Sequence, residues 1–574
     1  MTSITREPAA RSTERYPVVV VGAGPVGMTL ALDLARRGTR VLVLDSSETT
    51  TVNPRCNTTN ARSMEYFRRL GLSDAIRRSG LPGDHATDVV YCTSLTGHEL
   101  TRFRFSSSNE ILAGTAHEFS DWPTPEPQHR ISQIFLEPIL DGAVASAEHA
   151  ELRRGHEVVA VTQTEDRAMV TVREVATGHV YEVEADYVAG CDGGTSVVRR
   201  SIGAQLQGDG EASERRHSIY FRSPALAARL GERPGWMYWW YGQTYRGSCL
   251  RLDGSGLFLC HAKVPHGSDP DDVDSTVVLH EALGAEFDVE VFSVVRWTAR
   301  RLVADTFRSG RVLLAGDAAH LWLPLGGFGM NTGIVDAMSL SWRLNALLGG
   351  WADDRVLDDY AAERRSVGEA TSRAALKIDV DMSSVGRDPA LRDTGSEADG
   401  LRAEVGRRIQ QVDRQQWFSQ GVQFGARYIG SPGIVMDEQT PESVSAITAI
   451  DEYVPSVDPG ARVPHHWRAD GSSLFDSLGD DFTLIVVGDD PSVGEGLAAA
   501  AGQLDIPLEV LHLEEPVDPR VYSGRSLVLV RPDHVVGWSG SEPPTDPTHL
   551  FCTILGRPLP EPDRRTAYLG ETTK

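Results

Sequence analysis

The sequence predicts an α/β protein with two or three domains, and three observations support this prediction. A strand, a glycine-rich turn, a helix and a second strand follow one another within residues 17–45, as in a βαβ unit. Residues 151–190 alternate apolar and polar side chains, as antiparallel strands do before a buried strand. A separate series of strands and helices begins near residue 461, and 574 residues exceed the size of one ordinary core.

Composition and charge exclude several kinds of partner. Hydrophobic residues make up 41% of the chain and charged residues 24%, which is ordinary for a globular protein. The 56 basic and 80 acidic residues give a net charge of -24, and a charge of this sign repels nucleic acid and anionic membranes. No apolar run approaches the roughly 18–20 residues of a membrane span. We therefore expect neither nucleic acid nor a membrane as a partner.

The six cysteines are scattered, with no C-x-x-C pair and no spacing typical of a zinc site. This pattern predicts a reducing, cytoplasmic compartment and no bound metal. The N-terminus has mixed charge and no apolar segment, so it is not a signal peptide. Residues 1–15 are predicted to be a disordered tail.

The loop Gly22-Ala23-Gly24-Pro25-Val26-Gly27 is the first candidate site. In a G-x-G-x-x-G loop the glycines permit a tight turn, let backbone N–H groups approach a pyrophosphate, and let helix pack on strand. Asp45, at the end of the second strand, is placed to accept a hydrogen bond from a ribose hydroxyl. A turn that merely needs glycine is the alternative. The order of strand, helix, second strand and acid favours a bound dinucleotide, with contacts at Gly22, Gly24, Pro25, Gly27 and Asp45.

Residues 311–333, RVLLAGDAAHLWLPLGGFGMNTG, form the second candidate site. Asp317 follows a buried strand, so its carboxylate is placed to accept from a ribityl or ribose hydroxyl. The glycine-rich loop precedes a helix predicted to begin near Thr332, whose N-terminus offers N–H donors and a positive dipole end. A cofactor that carries negative charge would suit this loop. An ordinary loop and helix cap is the alternative, and His320 is either a packing residue or a cofactor contact.

A third segment, residues 190–200, reads GCDGGTSVVRR. With all three motifs in this order, the sequence resembles the class A, single-component flavin aromatic monooxygenases, and within them the phenol hydroxylase and chlorophenol hydroxylase branch. No second G-x-G-x-x-G domain is visible, which argues against reductases with two nucleotide domains. The expected cofactor is therefore FAD, with NADPH or NADH as a transient electron donor.

The resemblance covers nearly the whole chain and implies its domain organisation. A Rossmann-like FAD-binding domain and an interleaved antiparallel-sheet substrate domain occupy residues 16–385, with the substrate sheet mainly in 80–125 and 205–300. Residues 386–460 are a connecting segment, and residues 461–574 form a thioredoxin-like domain. Because that domain lacks C-x-x-C, we expect it to have a structural role, such as packing in a homodimer.

The resemblance also implies roles for single residues. Arg55 would lie near the adenosine pyrophosphate, whose charge a cation offsets, and Gln133 beside the flavin ring. The Pro324 carbonyl would face the reactive edge of the flavin. Arg130 and Glu137, which flank Gln133, are interpreted as surface charges on a helix. Around the second candidate site the implied contacts are Gly316, Asp317, Pro324, Gly327, Gly329, Met330 and Asn331.

Asp192 has two interpretations. With Gly193 and Arg199 it matches a family pattern that implies a dual contact to FAD and to the nicotinamide donor. The structural alternative is a strand-to-helix turn in which Ser196 lies near the cap.

The aromatic stretch Gly235–Tyr241 bears on the substrate. Tyr238 and Trp240 share one face of a strand and Trp239 and Tyr241 the other. Tyr238 and Trp240 are the predicted pocket residues, and an aromatic-rich sheet core is the alternative. The catalytic base stays unassigned, with histidine and tyrosine as candidates.

The resemblance implies hydroxylation of a phenolic or other activated aromatic substrate with NAD(P)H and O2, through a flavin C4a-hydroperoxide. A flavin oxygenase or epoxidase that tailors a polyketide or antibiotic scaffold is the alternative enzyme. A flavin-binding protein without enzymatic activity is the alternative from another class.

Overall fold

The computed structural model describes residues 14–208, 215–265, 269, 272–386, 388–436, 447 and 449–559. The predicted N-terminal tail lies outside these residues except for Glu14 and Arg15, which already belong to the first strand. The chain divides into two compact units. The first comprises Met1–Ser341, Arg364–Ala426 and Ala446–Val454, and the second comprises Trp342–Glu363, Arg427–Ser445 and Pro455–Lys574. This division differs from the predicted one, because residues 342–363 group with the C-terminal unit.

The first unit is built on two large sheets and one small one. Its strands are β1 (Glu14–Val21), β2 (Val41–Asp45), β3 (Val89–Cys92), β4 (Glu99–Phe103), β5 (Ala150–Arg154), β6 (His156–Gln163), β7 (Ala168–Glu174), β8 (Val180–Gly190), β9 (Leu206–Gln207), β10 (Arg215–Arg222), β11 (Met237–Tyr241), β12 (Arg246–Arg251), β13 (Leu257–Lys263), β14 (Glu290–Thr298), β15 (Leu302–Ala304), β16 (Arg308–Ser309), β17 (Val312–Leu314) and β18 (His320–Leu321).

Helices connect and cover these sheets. They are α1 (Pro25–Arg36), α2 (Ala61–Arg69), α3 (Ser73–Arg77), α4 (Ser108–Leu112), α5 (Glu118–Asp121), α6 (Gln133–Ser146), α7 (Val197–Ser201), α8 (Pro224–Leu230), α9 (Ser275–Leu283), α10 (Phe328–Leu348), α11 (Arg355–Ser383), α12 (Ser396–Val412), α13 (Arg414–Trp417) and α14 (Gln420–Phe424). Within the described residues, no helix is long and apolar enough to cross a membrane.

The first sheet has the order β16-β17-β8-β1-β2-β5, and β7 and β6 extend it beside β8. β1 runs parallel to both β2 and β8. Residues Val18–Val21 are buried throughout, as expected of a parallel strand covered on both faces. The predicted strand–turn–helix–strand unit is therefore present, with β1 starting three residues before the predicted Pro17. This sheet places the glycine loop at the carboxyl end of β1.

The second sheet has the order β14-β10-β13-β12-β11-β3-β4 and is antiparallel except where β3 runs parallel to β11. Its two faces pack differently. One face, here called the α9 face, shares a buried cluster with residues of α8 and α9. The other, here called the loop face, shares a buried cluster with residues of α11, α12 and α13 and with Leu323, Leu325 and Phe328. The loop face is therefore the one that meets the second candidate site.

The second unit has its own sheet, in the order β20-β19-β21-β22. Its elements are β19 (Phe482–Val487), α15 (Glu495–Gln503), β20 (Leu508–Leu513), α16 (Pro519–Tyr522), β21 (Leu527–Val530), β22 (Val536–Gly540) and α17 (Pro547–Ile554). β19 is parallel to β20 and antiparallel to β21. Trp342 and Trp351 pack with the buried residues of α15 and α17, which explains why residues 342–363 belong to this unit.

Candidate active site

The glycines of the loop at residues 22–27 have different surroundings, and this difference is the one that a bound dinucleotide requires. Gly22 has a φ of +104°, and a Cβ on it would lie 2.4 Å from the Cys191 carbonyl oxygen. A Cβ on Gly27 would lie 2.0 Å from the Gly22 oxygen. A Cβ on Gly24 would meet no atom within 4 Å. The fold thus requires glycine at Gly22 and Gly27, whereas Gly24 leaves backbone open to a ligand, as pyrophosphate binding demands.

Asp45 and Pro25 shape this loop directly. The Asp45 carboxylate accepts hydrogen bonds from the Ala23 N–H at 2.6 Å and the Ser47 N–H at 2.7 Å. Pro25 occupies the first turn of α1, with Gly24 as its N-cap, a position that suits the fixed φ of proline. Asp45 therefore ties the loop to the end of β2, and the other lone pairs of its carboxylate remain for a ribose hydroxyl.

The segment around Asp192 forms the predicted strand-to-helix turn and leaves one carboxylate oxygen without a partner among the described residues. One carboxylate oxygen of Asp192 accepts from the Val197 N–H at 2.7 Å, while Oδ1 is buried without a hydrogen-bond partner among the described residues. Ser196 caps α7 by accepting from the Arg199 N–H at 2.8 Å. The Arg199 guanidinium donates to the Ala318 carbonyl at 3.0 Å. Arg199 thus joins this segment to residues 316–318, and Asp192 Oδ1 is the atom available to a ligand.

His320 packs against its neighbours, and its Nδ1 has no hydrogen-bond partner among the described residues. It is fully buried, and its ring stacks on Trp322 with centroids 4.3 Å apart. Its Nε2 lies 2.8 Å from a carboxylate oxygen of Asp336, which also accepts from the Gly316 N–H at 3.0 Å. Arg364 donates to the other oxygen at 2.7 Å. Burial opposes the ionised form of Asp336, but Arg364 and His320 outweigh it and lower its pKa to about 2.

The charge of Arg55 acts on the carboxylate of Asp317. Its side chain is exposed and makes no hydrogen bond within the described part of the chain. The surrounding protein nevertheless raises the pKa of the Asp317 carboxyl by desolvation, an effect that His320 and Arg55 oppose. Arg55 also lowers the pKa of Glu137, which burial raises. Arg55 and Asp317, 262 positions apart in sequence, are therefore close enough for their charges to interact.

Gln133 and Glu137 form one buried pair. Gln133 Nε2 donates to Glu137 Oε1 at 2.7 Å, and the other oxygen accepts from the Thr51 N–H at 2.7 Å. Glu137 is 5% exposed and Arg130 3% exposed. The interpretation of Arg130 and Glu137 as surface charges is therefore wrong, because both side chains are buried within the fold.

The helix after the second glycine-rich loop begins at Phe328, not near Thr332 as predicted. Gly329, Met330 and Asn331 consequently lie in its first turn. The Asn331 side chain is fully committed: it accepts from the Asn60 N–H at 2.9 Å and donates to the carbonyls of Thr58 and Gly327. Pro324 is exposed at the tip of the loop, where its carbonyl remains a candidate for the flavin contact.

The structure does not support the pocket role predicted for Tyr238 and Trp240. Both belong to the α9 face, where they pack among residues of α8 and α9, and Tyr238 donates its hydroxyl to the Arg233 carbonyl at 3.1 Å. Trp239 and Tyr241 belong to the loop face. The predicted alternation along β11 is present, but α8 and α9 cover Tyr238 and Trp240, and Trp239 and Tyr241 lie on the loop face.

The loop face holds polar groups that sequence analysis missed. Tyr91 donates its hydroxyl to Asp413, and Trp417 Nε1 donates to Tyr91 at 2.8 Å and to Asp413 at 3.2 Å. Burial raises the pKa of Asp413 to about 7. Asp413 Oδ1, Tyr241 Oη and Trp239 Nε1 are buried without hydrogen-bond partners among the described residues. Such atoms cluster where a polar ligand supplies the missing partners.

The fold and the open glycine loop define a dinucleotide-binding protein, and known proteins identify its class. The FAD binding domain family matches residues 15–375, and the family of the aromatic-ring hydroxylase C-terminal domain matches residues 456–558. The chain is 31% identical over 581 residues to a putative polyketide hydroxylase of Streptomyces halstedii, covering 95% of this chain and 98% of the relative. It is 30% identical over 565 residues to 4-methyl-5-nitrocatechol 5-monooxygenase of a Burkholderia species, covering 94% and 96%.

A solved structure agrees with these relatives. The rebeccamycin biosynthetic enzyme RebC with reduced flavin matches with a TM-score of 0.85 at 33% identity, over 95% of this chain and 100% of that chain. The chain therefore belongs to the FAD-dependent aromatic monooxygenases. The predicted resemblance, FAD cofactor, electron donor and class of reaction are confirmed.

Proposed function

We propose that the chain binds FAD along residues 22–27, with the flavin ring against the loop before α10, and hydroxylates an aromatic substrate on the loop face. Residues 322–327, the loop before α10, are here called the flavin loop. The observation that carries this proposal is that Leu323 and Leu325 of this loop, with Phe328 at the start of α10, share one buried cluster with Trp239 and Tyr241. Bound FAD supplies the activation of O2. The chain's own residues hold the cofactor, exclude water and orient the ring to be hydroxylated.

The proposed cofactor contacts follow from the geometry of the chain. Gly24 leaves space for the pyrophosphate, and Asp45, Asp192 Oδ1 and Asp317 offer acceptors for hydroxyl groups. Arg55 supplies positive charge near phosphate. The remaining proposed contacts use backbone or lie beside the ring: Gly22, Pro25, Gly27, Gln133, Gly316, Pro324, Gly327, Gly329, Met330 and Asn331.

Replacing Gly24 by valine tests the cofactor site. We expect FAD affinity to fall at least tenfold without loss of fold, because a Cβ at this position meets no protein atom within 4 Å and the side chain enters the space proposed for the ligand. Gly142→Ala in α6 is a matched control, since a Cβ there also meets nothing within 4 Å. FAD affinity is measured by flavin fluorescence during titration of the apoprotein. An unchanged affinity for Gly24→Val contradicts the proposed pyrophosphate position.

The substrate is a phenol or another electron-rich aromatic compound. A polycyclic polyketide is the second candidate, favoured by the resemblance to the polyketide hydroxylase of Streptomyces halstedii and to a rebeccamycin biosynthetic enzyme. The test is NADPH and NADH oxidation by the FAD-loaded enzyme with monocyclic phenols and with hydroxylated polycyclic quinones, followed by mass analysis with labelled O2. Stimulation by no aromatic compound rejects the hydroxylase proposal, and the compound class that couples best decides between the candidates.

We extend the proposal to the second unit and to the setting of the enzyme. A parallel pair, β19 and β20, flanked by antiparallel β21 and β22, supports a thioredoxin-like arrangement. The sequence carries no C-x-x-C, so its role is structural, as in homodimer packing. All six cysteines are free, which supports the proposal of a cytoplasmic protein.

A further inference from the structure

We infer that the buried guanidinium of Arg130 binds an acidic oxygen of the aromatic substrate, a phenolate or a carboxylate, and so selects anionic substrates. This inference rests on the proposed function and adds to it the charge of the substrate and the residue that recognises it. Arg130, which the sequence suggested to be a surface charge, is in this inference the main cation of the substrate site.

Arg130 is buried in an unusual way. Its side chain is 3% exposed, yet its Nη2 has no hydrogen-bond partner among the described residues. By contrast, the buried Arg77 contacts Glu126 at 2.6 Å, and the buried Arg364 contacts Asp336 at 2.7 Å. Glu118 acts on Arg130 only through space, and desolvation lowers the pKa of Arg130 to about 9. An unpaired buried cation is costly unless a ligand supplies the anion.

Three aromatic rings surround the guanidinium, and its Nη2 has no hydrogen-bond partner among the described residues. Its central carbon lies 4.5 Å from the ring centroid of Trp236, 5.1 Å from Phe105 and 5.6 Å from Trp417. Such rings stabilise a cation by cation–π attraction, but they accept no conventional hydrogen bond from Nη2. The same rings would stack on or edge against a flat aromatic substrate. The arrangement therefore presents one charged donor inside an aromatic wall.

Arg130 also lies next to the flavin loop. Its Nη1 donates to Thr58 Oγ1 at 3.1 Å, and the Thr58 carbonyl accepts from Asn331 Nδ2 at 2.8 Å. Asn331 belongs to the first turn of α10, directly after the loop. Phe105, Trp236 and Trp417 share the buried cluster of the loop face with Leu325 and Phe328. An anion on Arg130 would hence be held beside the proposed flavin position.

The test uses the FAD-loaded enzyme and two matched pairs of probes. Benzoate is compared with benzamide, and 4-nitrophenolate with 4-nitroanisole at pH 8.5, by the change in flavin absorbance on binding. We expect the wild-type enzyme to prefer at least one anion over its neutral partner tenfold or more. Arg130→Gln should abolish that preference and change benzamide or nitroanisole affinity less than threefold. Whichever pair shows the effect identifies the acidic oxygen as a carboxylate or a phenolate.

Further variants separate recognition from folding. Arg130→Lys keeps the charge and should retain part of the anion preference. Arg130→Met should leave the melting temperature of the ligand-free holoenzyme unchanged or higher, because it removes a buried charge without an acidic partner. Arg173→Gln, which alters an exposed pair with Glu157, is the control and should change neither quantity.

Two results would overturn the inference: no anion preference or no anion binding in the wild-type enzyme, or equal anion affinity in wild type and Arg130→Gln. Failure of the proposed function is distinguishable, because it appears as absence of aromatic-stimulated NAD(P)H oxidation in the wild-type enzyme. Anion preference that depends on Arg130 in an enzyme with no such stimulation would reject the hydroxylase and keep the anion site.

Discussion

Two regions of the molecule bury charge in opposite ways. In the second unit Glu363 accepts from Arg343 at 2.7 Å and from Arg531 at 2.8 and 3.0 Å, and Arg531 also donates to Asp533 at 2.7 Å. Each charged group there has a partner of opposite charge. On the loop face of the first unit Arg130 has no acidic partner, and Asp413 keeps one oxygen without a hydrogen bond among the described residues.

The paired charges of the second unit and the unpaired groups of the loop face have different roles. Burying a charge costs free energy that an ion partner and hydrogen bonds must offset. The network around Glu363 offsets that cost within the chain, so it needs no ligand. The groups on the loop face do not, and they surround the position where we place the substrate. The ion pairs around Glu363 thus belong to the scaffold, whereas Arg130 and Asp413 lie where we place the substrate.

Breaking the closed network should have the largest effect. Glu363→Gln leaves Arg343 and Arg531 without their shared carboxylate, and removal of one partner of a buried pair costs about 3–5 kcal/mol. We expect the free energy of unfolding of the second unit in urea to fall by this amount. Glu157→Gln, at an exposed pair with Arg173, should cost less than about 1 kcal/mol. Equal effects of the two substitutions would mean that burial does not distinguish the pairs.

Asp413 should make stability depend on pH. Burial is the main cause that raises the pKa of Asp413 from 3.8 to about 7 in the folded protein. Between pH 3.8 and pH 7 the folded state therefore retains a proton that the unfolded state has released. Stability should therefore fall as pH rises through 7, by about 1.4 kcal/mol between pH 6 and pH 8 for one group. The charged and titratable groups that face Asp413 are Tyr91, Tyr241 and Asp381.

Asp413→Asn isolates this contribution. The amide does not titrate, so the variant should lose the decline between pH 6 and pH 8 in thermal or urea unfolding. The same decline in the variant and the wild-type enzyme would assign the effect to another group.

The sequence predicted what depends on local spacing. The glycine loop, α1 and Asp45 lie within about 25 residues, and a βαβ unit fixes their geometry. Arg130 and Asp413 carried no such signal, because their neighbours Trp236 and Tyr91 lie more than a hundred residues away along the chain. The start of α10 was missed because a glycine-rich run favours a loop in any local analysis.

The side of β11 that faces the site shows the same limit. Period-two alternation divides Tyr238 and Trp240 from Trp239 and Tyr241, but nothing local says which pair meets the flavin loop. The choice depends on α8 and α9, which cover the first pair and are formed by residues on either side of β11 in sequence. Local pattern thus predicted two faces, and tertiary packing assigned their roles.

Two tyrosines of β11 provide the test with the smallest expected effect on stability, and they compare the two faces of one strand. Tyr238 donates to the Arg233 carbonyl on the α9 face, so Tyr238→Phe breaks a buried hydrogen bond and should cost about 1 kcal/mol of stability. Tyr241 Oη has no partner among the described residues, so Tyr241→Phe should cost close to nothing in the ligand-free enzyme. Its effect should appear instead in the affinity for hydroxylated aromatic compounds, measured by flavin absorbance, where Tyr238→Phe should have none. If Tyr241→Phe destabilises the protein and leaves aromatic binding unchanged, the open hydroxyl belongs to the scaffold, and the loop face loses one of its polar contacts to substrate.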